Sequence, residues 1–196
     1  MTEIITKQNE WWEKNVPSRL NEFVSWLGTS ENITRLFMKE FVVNNNIKSI
    51  LDTACGPCID YEVLRNVGIE YCGVDSTSIL VSMALLRGIN VKKANIEELP
   101  FEDKSFDMVY GRHILEHLEY YEKAITEAVR CSRKYIMYTF FLKHNDEDVF
   151  RINEDTYANS YNLEKMFNFI IFKLNCKPLL FRRPDFENQS ILIIEK

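Results

Sequence analysis

Apolar residues recur along this chain at two different periods, and the change of period divides it. Over residues 1–46 the spacing is helical. Leu20, Phe23, Val24 and Leu27 share one face, with Pro17 before them and Gly28 after. Ile33, Leu36, Phe37 and Phe41 share another, with Ser30 as the expected N-cap and Glu31 in the first turn. Asn44, Asn45 and Asn46 then end the helix. From residue 47 short apolar runs alternate with amphipathic stretches. The pattern predicts strands at Ile47–Asp52, Tyr71–Asp75, Val91–Ala94, Phe106–Tyr110 and Tyr135–Leu142, with helices at Ile59–Val67, Ile79–Arg87 and Tyr120–Ser132 between them.

Strand–helix alternation of this kind predicts a parallel sheet covered by helices on both faces, wound with right-handed crossovers. The end of the chain breaks the alternation. Asn162–Phe172 reads as a helix, and Pro178–Phe181 and Ser190–Ile194 as two strands joined by Pro184-Asp185-Phe186-Glu187-Asn188. The expected fold is therefore α/β, a mostly parallel seven-stranded sheet closed by a C-terminal antiparallel hairpin. One domain over 1–196 is expected: a helical cap (1–46), a core (47–142), a polar insertion (143–161), and a last helix and hairpin (162–196). A connection as long as 143–161 is commonly functional.

With 196 residues and 46% apolar content the chain can bury one sizeable core. The net charge of −5 and pI near 5.4 leave no basic tract for nucleic acid or an anionic membrane, so neither is an expected partner. No run approaches the ~20 apolar residues of a membrane span, and the start of the chain carries no secretion signal. Five scattered cysteines then point to reduced thiols in the cytoplasm.

The chemistry concentrates where strands end. The first apolar run ends in Asp52, and Thr53-Ala54-Cys55-Gly56-Pro57-Cys58 forms a turn of mostly small residues. The second run ends in Asp75, about 20 residues on. This is the layout of a nucleotide-type pocket at the carboxyl ends of two parallel strands: small residues admit backbone to the ligand, and the second acid accepts ribose hydroxyls. A carboxylate at Asp52 repels a pyrophosphate and attracts a ligand that carries positive charge, as the ammonium and sulfonium of S-adenosylmethionine do.

Four segments in order resemble the class I S-adenosylmethionine-dependent methyltransferases of the small-molecule type, whose fold is Rossmann-like. Asp52–Cys58 is similar to the family's acid-x-Gly-x-Gly-x-Gly loop, and Asp75 to the acid that ends its second strand. Asn95-Ile96-Glu97-Glu98-Leu99-Pro100-Phe101 resembles the adenine-side segment. Ser105–Tyr110, continued by His113-Ile114-Leu115-Glu116-His117-Leu118, resembles the fourth strand and the start of its helix. The resemblance covers about residues 47–142. It implies S-adenosylmethionine as cofactor and a small-molecule methyl acceptor. The cofactor-side residues it implies are Asp52, Ala54, Cys55, Gly56, Asp75, Ser76, Asn95, Ile96 and Arg112, with Trp12 and Arg19 reaching over from the cap. The departures are Ala54 and Cys58 in place of two glycines, Asn95 in place of an acid, and Arg133-Lys134 where a Gly turn precedes the fifth strand. Ala54 must either take an ordinary backbone angle or accept strain.

Transfer to an O or N acceptor can need a general base, and His113 and His144, after the fourth and fifth strands, are the candidates with a suitable unperturbed pKa of about 6.5. A non-catalytic cofactor-binding or regulatory domain is the alternative function. Cys55-Gly56-Pro57-Cys58 also spells a thioredoxin-type redox motif. It comes after the strand end at Asp52 and lacks the usual Trp before its first Cys, and the expectation is two packed thiols without redox function. His113 and His117 stand at metal-ligand spacing, but no third ligand accompanies them, and no metal is expected. Asp107 starts its strand at the end away from the ligand and is expected to be structural.

Overall fold

The computed structural model describes residues 10–21, 32–141, 147–153, 156–186 and 189–196. The expected Ser30 cap and most of the first predicted helix lie outside these residues. Helix α1 (Ile33–Asn44) starts on a different cap, Asn32, whose side chain accepts Thr34 N–H at 3.0 Å. Strands β1 (Ser49–Thr53), β2 (Glu70–Asp75), β3 (Val91–Lys93), β4 (Phe106–Arg112) and β5 (Ser132–Phe141) alternate with α2 (Ile59–Leu64), α3 (Ser78–Leu86) and α4 (Glu122–Cys131). Within the insertion lie β6 (Ile152–Asn153) and β7 (Thr156–Tyr157), and after it come α5 (Leu163–Asn168) running into a π turn (Phe169–Lys173), then β8 (Lys177–Phe181) and β9 (Gln189–Glu195).

The main sheet has seven strands in the order β3-β2-β1-β4-β5-β9-β8. β1 to β5 pair in parallel, and β9 pairs antiparallel with both β5 and β8, the mixed sheet that the sequence pattern predicts. Alternation along the strands sends successive side chains to opposite cores. Ile50, Met108, Met137 and Ile191 pack with Met38 and Val42 of α1 and Val81 and Ala84 of α3. Leu51, Val109, Ile136 and Leu192 pack with Ala124, Ile125 and Ala128 of α4 and Met166 of α5. Both faces are thus buried, which explains why the central strands read as unbroken apolar runs.

The chain walks outward from β1 to β3, then returns to place β4 on β1's other side. That reversal opens a crevice beyond the carboxyl ends of β1 and β4. The opposite end is pinned by Asp107, whose carboxylate accepts Lys48 N–H at 2.8 Å and Arg133 Nε–H at 3.0 Å. Arg133 also donates to Ser49 Oγ, so one of the residues replacing the Gly turn ties β5 to β1. Two features go beyond the sequence expectation. Only a short 3₁₀ turn (Leu115–His117) follows β4 before α4, and the polar insertion contains the small antiparallel pair β6–β7. Among the described residues no helix is long and apolar enough to cross a membrane.

Candidate active site

The loop after β1 turns the chain through three left-handed residues, Ala54 (φ 55°), Gly56 (φ 54°) and Cys58 (φ 58°). They are the three positions where the resembled loop has glycine. Ala54 and Cys58 therefore accept a conformation that L side chains rarely adopt. Compensating bonds hold them. Cys55 N–H donates to Val74 O at 3.0 Å, Cys58 N–H to Cys55 O at 2.9 Å, and Gly56 N–H to Asp75 Oδ2 at 2.8 Å. The Cys55 and Cys58 thiols lie against Gly73 of β2. A Cβ added there would sit 2.8 Å from Cys55 Sγ and 3.2 Å from Cys58 Sγ, so glycine at 73 makes room for both. All five cysteines are buried and unpaired.

Asp75 is 8% exposed and holds two backbone N–H groups, Gly56 on Oδ2 and Thr77 on Oδ1 at 2.9 Å. Burial lifts its carboxyl above the ordinary value, and those two N–H groups oppose the lift. Ser76 beside it is half-buried. A Cβ added to Gly56 would meet nothing within 4 Å, so open space lies against the loop backbone next to this acid. Narrow loop, free space and a strand-end carboxylate fit a ribose-bearing ligand.

Asp52 is placed differently from Asp75. It is 1% exposed and accepts the Tyr71 hydroxyl at 2.6 Å. Burial, and then the nearby Asp60 charge, push its carboxyl well above the usual range against the pull of Tyr71. Asp60 in turn binds Arg35 of α1 through two contacts of 3.1 and 3.3 Å and accepts the Tyr110 hydroxyl at 3.0 Å. A buried polar network thus underlies the loop. Sequence reasoning missed it because it joins residues from α1, α2, β1, β2 and β4.

On the adenine-side segment Asn95 Oδ1 accepts Glu97 N–H at 3.0 Å, and Ile96 is buried in the core. Arg112, at the end of β4, donates to Thr34 Oγ1 of α1. His113 comes next, with φ 49°. Its N–H donates to Thr139 O at 2.7 Å, and its ring stacks on Phe141 at 4.4 Å. His113 Nδ1 lies 3.1 Å from Glu116 Oε1, a partner that its i+3 position could have suggested. His117 Nδ1 meets Tyr157 O of the insertion at 2.7 Å, and Trp12 packs edge-on against the His117 ring at 5.6 Å. Trp12 belongs to a helical stretch over 10–15. Glu13 in the same stretch accepts Ser78 N–H at 2.9 Å and pairs with Lys93. Arg19 lies in the adjoining 3₁₀ turn, Pro17–Arg19. His144 lies outside the described residues. Among those described, no group of three or more His, Cys, Asp or Glu is placed to hold a metal ion.

Residues 51–135 match the family described as a methyltransferase domain. A protein of Encephalitozoon cuniculi named as a candidate methyltransferase is 29% identical over 105 residues, 54% of this chain and 43% of that protein, so the match spans less than half of the relative's length. Two solved structures share the whole fold at low identity. Magnesium protoporphyrin IX methyltransferase from Synechocystis, with bound S-adenosylhomocysteine, is 12% identical with a TM-score of 0.71, over 96% of this chain and 97% of that one. The 1,6-didemethyltoxoflavin-N1-methyltransferase of Burkholderia thailandensis is 14% identical with a TM-score of 0.71, over 94% and 86%. Strand order, loop, acid pair and the match over residues 51–135 make the chain similar to the class I S-adenosylmethionine-dependent methyltransferases. S-adenosylmethionine is the cofactor of that class.

Proposed function

We propose that the protein transfers a methyl group from S-adenosylmethionine to the oxygen or nitrogen of a small molecule. The carrying observation is convergence. The 10–15 stretch and the insertion both pack on His117, beside His113, at the carboxyl edge of the sheet. Asp75 and the backbone of 54–56, with Cys55, are the residues we assign to the ribose and methionine side, with Asp52 beneath them. Asn95 and Ile96 edge the adenine, and Ser76, Arg112, Trp12 and Arg19 complete the surround. When bound, the cofactor supplies an electrophilic methyl, so the protein's part is to position an acceptor and remove its proton. We assign the proton to His113, with His144 as the second candidate base. The two similar enzymes named above carry small-molecule acceptors in their names, which supports an acceptor of that size. Buried, unpaired cysteines agree with a reducing, cytoplasmic setting.

The second reading, a non-catalytic domain that binds S-adenosylmethionine or S-adenosylhomocysteine, is favoured by one feature, the side chains at Ala54 and Cys58. Calorimetry tests the shared part. Both ligands are expected to bind, and Asp75→Ala is expected to weaken S-adenosylhomocysteine by roughly 1.5–3 kcal/mol, the range for hydrogen bonds to a charged group. Unchanged affinity in that variant removes Asp75 from the ribose. Methyl transfer from labelled cofactor to any member of a phenol, alcohol and amine panel separates enzyme from binder.

A further inference from the structure

Glu116 is not among the residues assigned to the cofactor, yet its surroundings are specific. The residue is 9% exposed. Its Oε1 accepts Phe141 N–H at 2.8 Å and lies 3.1 Å from His113 Nδ1. Its Oε2 is buried with no hydrogen-bond partner among the described residues. Burial alone would raise its carboxyl, but the hydrogen bond with His113 and the charges of His113 and His117 outweigh burial and hold it below the usual value. An ionised carboxylate only accepts, so the shared hydrogen belongs to His113 Nδ1. In the neutral ring Nε2 then carries the lone pair, and it has no hydrogen-bond partner among the described residues. The ring cannot swing freely. It stacks within 19° of the Phe141 plane, and its backbone is held left-handed by the bond to Thr139 O. Phe141 is 51% exposed, so this pair opens outward at the strand ends. Strained residues held this firmly cluster at functional sites.

We infer that Glu116 is a positioning residue that keeps His113 in the Nδ1–H tautomer with Nε2 free for the acceptor, and that the acceptor is therefore a proton-bearing hydroxyl, phenol or amine rather than a carboxylate or thioether. This rests on the reading of His113 as the base. The acceptor's proton moves from its O–H or N–H to Nε2, and the electron pair of that bond stays on the acceptor. The imidazolium so formed lies against the Glu116 carboxylate, which stabilises its charge.

The chain has three histidines, so the tautomer can be read directly. Long-range proton–nitrogen spectra of histidine-labelled protein, at a pH where the ring is neutral, are expected to show His113 as Nδ1–H, with His113→Gln assigning the signal. Glu116→Ala is expected to shift it towards Nε2–H while the dissociation constant for S-adenosylhomocysteine stays within about threefold. Glu116→Gln keeps an acceptor oxygen, so it is expected to keep Nδ1–H with a signal moved towards that of a neutral acceptor. An Nε2–H ring in the wild type overturns the inference without any variant. An unchanged signal in Glu116→Ala overturns it too, and where that variant does not fold, an unmoved signal in Glu116→Gln does so. The activity arm uses labelled S-adenosylmethionine with phenols, alcohols, amines, carboxylates and thioethers. A carboxylate or thioether methylated equally by wild type and His113→Gln overturns the base reading and the acceptor class with it. His113-dependent turnover beside an Nε2–H ring removes the role of Glu116 and spares the base.

Discussion

Replacing Ala54 by glycine should make the protein slightly more stable, although it removes a side chain. At φ 55° Ala54 occupies the left-handed region, which costs an L residue roughly 1–2 kcal/mol. Glycine removes that cost. Its extra freedom in the unfolded chain takes back about 0.5–1 kcal/mol. The half-buried methyl is worth a few tenths more, from about 0.8 kcal/mol for a fully buried one. The remainder is a stabilisation centred near ~0.5 kcal/mol, or about 1–2 °C in Tm for a domain of this size. Cys58→Gly is the control, because it relieves the same strain at φ 58° but deletes a thiol that is fully buried against Gly73. Losing that packing costs roughly 1–2 kcal/mol and turns the net effect destabilising. Urea unfolding of both variants measures a difference of about 1–1.5 kcal/mol between them, in which errors common to both cancel. If Ala54→Gly proves destabilising by more than ~1 kcal/mol, or if the two variants are equal, backbone strain is not what distinguishes this loop.

Arg35→Met leaves Asp60 buried without its cation and should cost about 3–5 kcal/mol by chemical denaturation, as breaking a buried ion pair does. A loss below ~1 kcal/mol would mean that Tyr110 alone satisfies that carboxylate. Asp52 sets a pH dependence. Its folded value is raised, so its contribution to stability is fully present below the unfolded carboxylate value of about 3.9 and is lost as pH rises through the raised folded value. Unfolding free energies taken from about pH 4 to pH 8 should therefore fall less steeply in Asp52→Asn, and parallel curves would contradict the burial argument. Removing residues 1–28 takes away Trp12 and Glu13, so turnover of any acceptor should drop more than the circular dichroism signal of the sheet; equal loss of both would mean that this stretch holds the fold.

The central strands were legible because they are buried on both faces and so read as apolar runs, and the hairpin because Pro184-Asp185 and its neighbours interrupt two apolar stretches. Helix starts were less legible. Asn32 caps α1, and an Asn next to an equally polar Ser30-Glu31 gives no sequence signal to choose between them. Asp52 and Asp75 both stand at strand ends in the sequence, but only the parallel register shows that Tyr71 reaches Asp52 while Asp75 faces the loop backbone. Arg35 reads as one more helical cation, since nothing local says that its partner is Asp60, 25 residues on. His113 and Glu116 stand three apart and could be paired by inspection. Their meaning comes from Phe141 and Thr139, which the β4–β5 pairing brings alongside.

The two ends of the sheet carry different physics. At the amino ends of β1, β4 and β5 the buried acid is neutralised: Asp107 is held below its ordinary value because the Lys48 N–H and the Arg133 and Lys134 cations more than offset its burial. Among the left-handed residues at that end, Asn46 and Lys104 are exposed turn positions. At the carboxyl ends lie Ala54, Cys58 and His113 with left-handed backbones in buried or half-buried positions, a Glu116 oxygen with no donor among the described residues, and an Asp75 carboxyl lifted by burial. Each of these costs stability and is held by bonds that fix it in one place, from Gly56 to Asp75, from His113 to Thr139 and from Phe141 to Glu116. A fold gains nothing for its own stability from collecting such costs at one edge. Their concentration where β1 and β4 part is what a site built to hold a ligand requires, and it makes that edge, rather than any single motif, the strongest physical argument for a functional site in this chain.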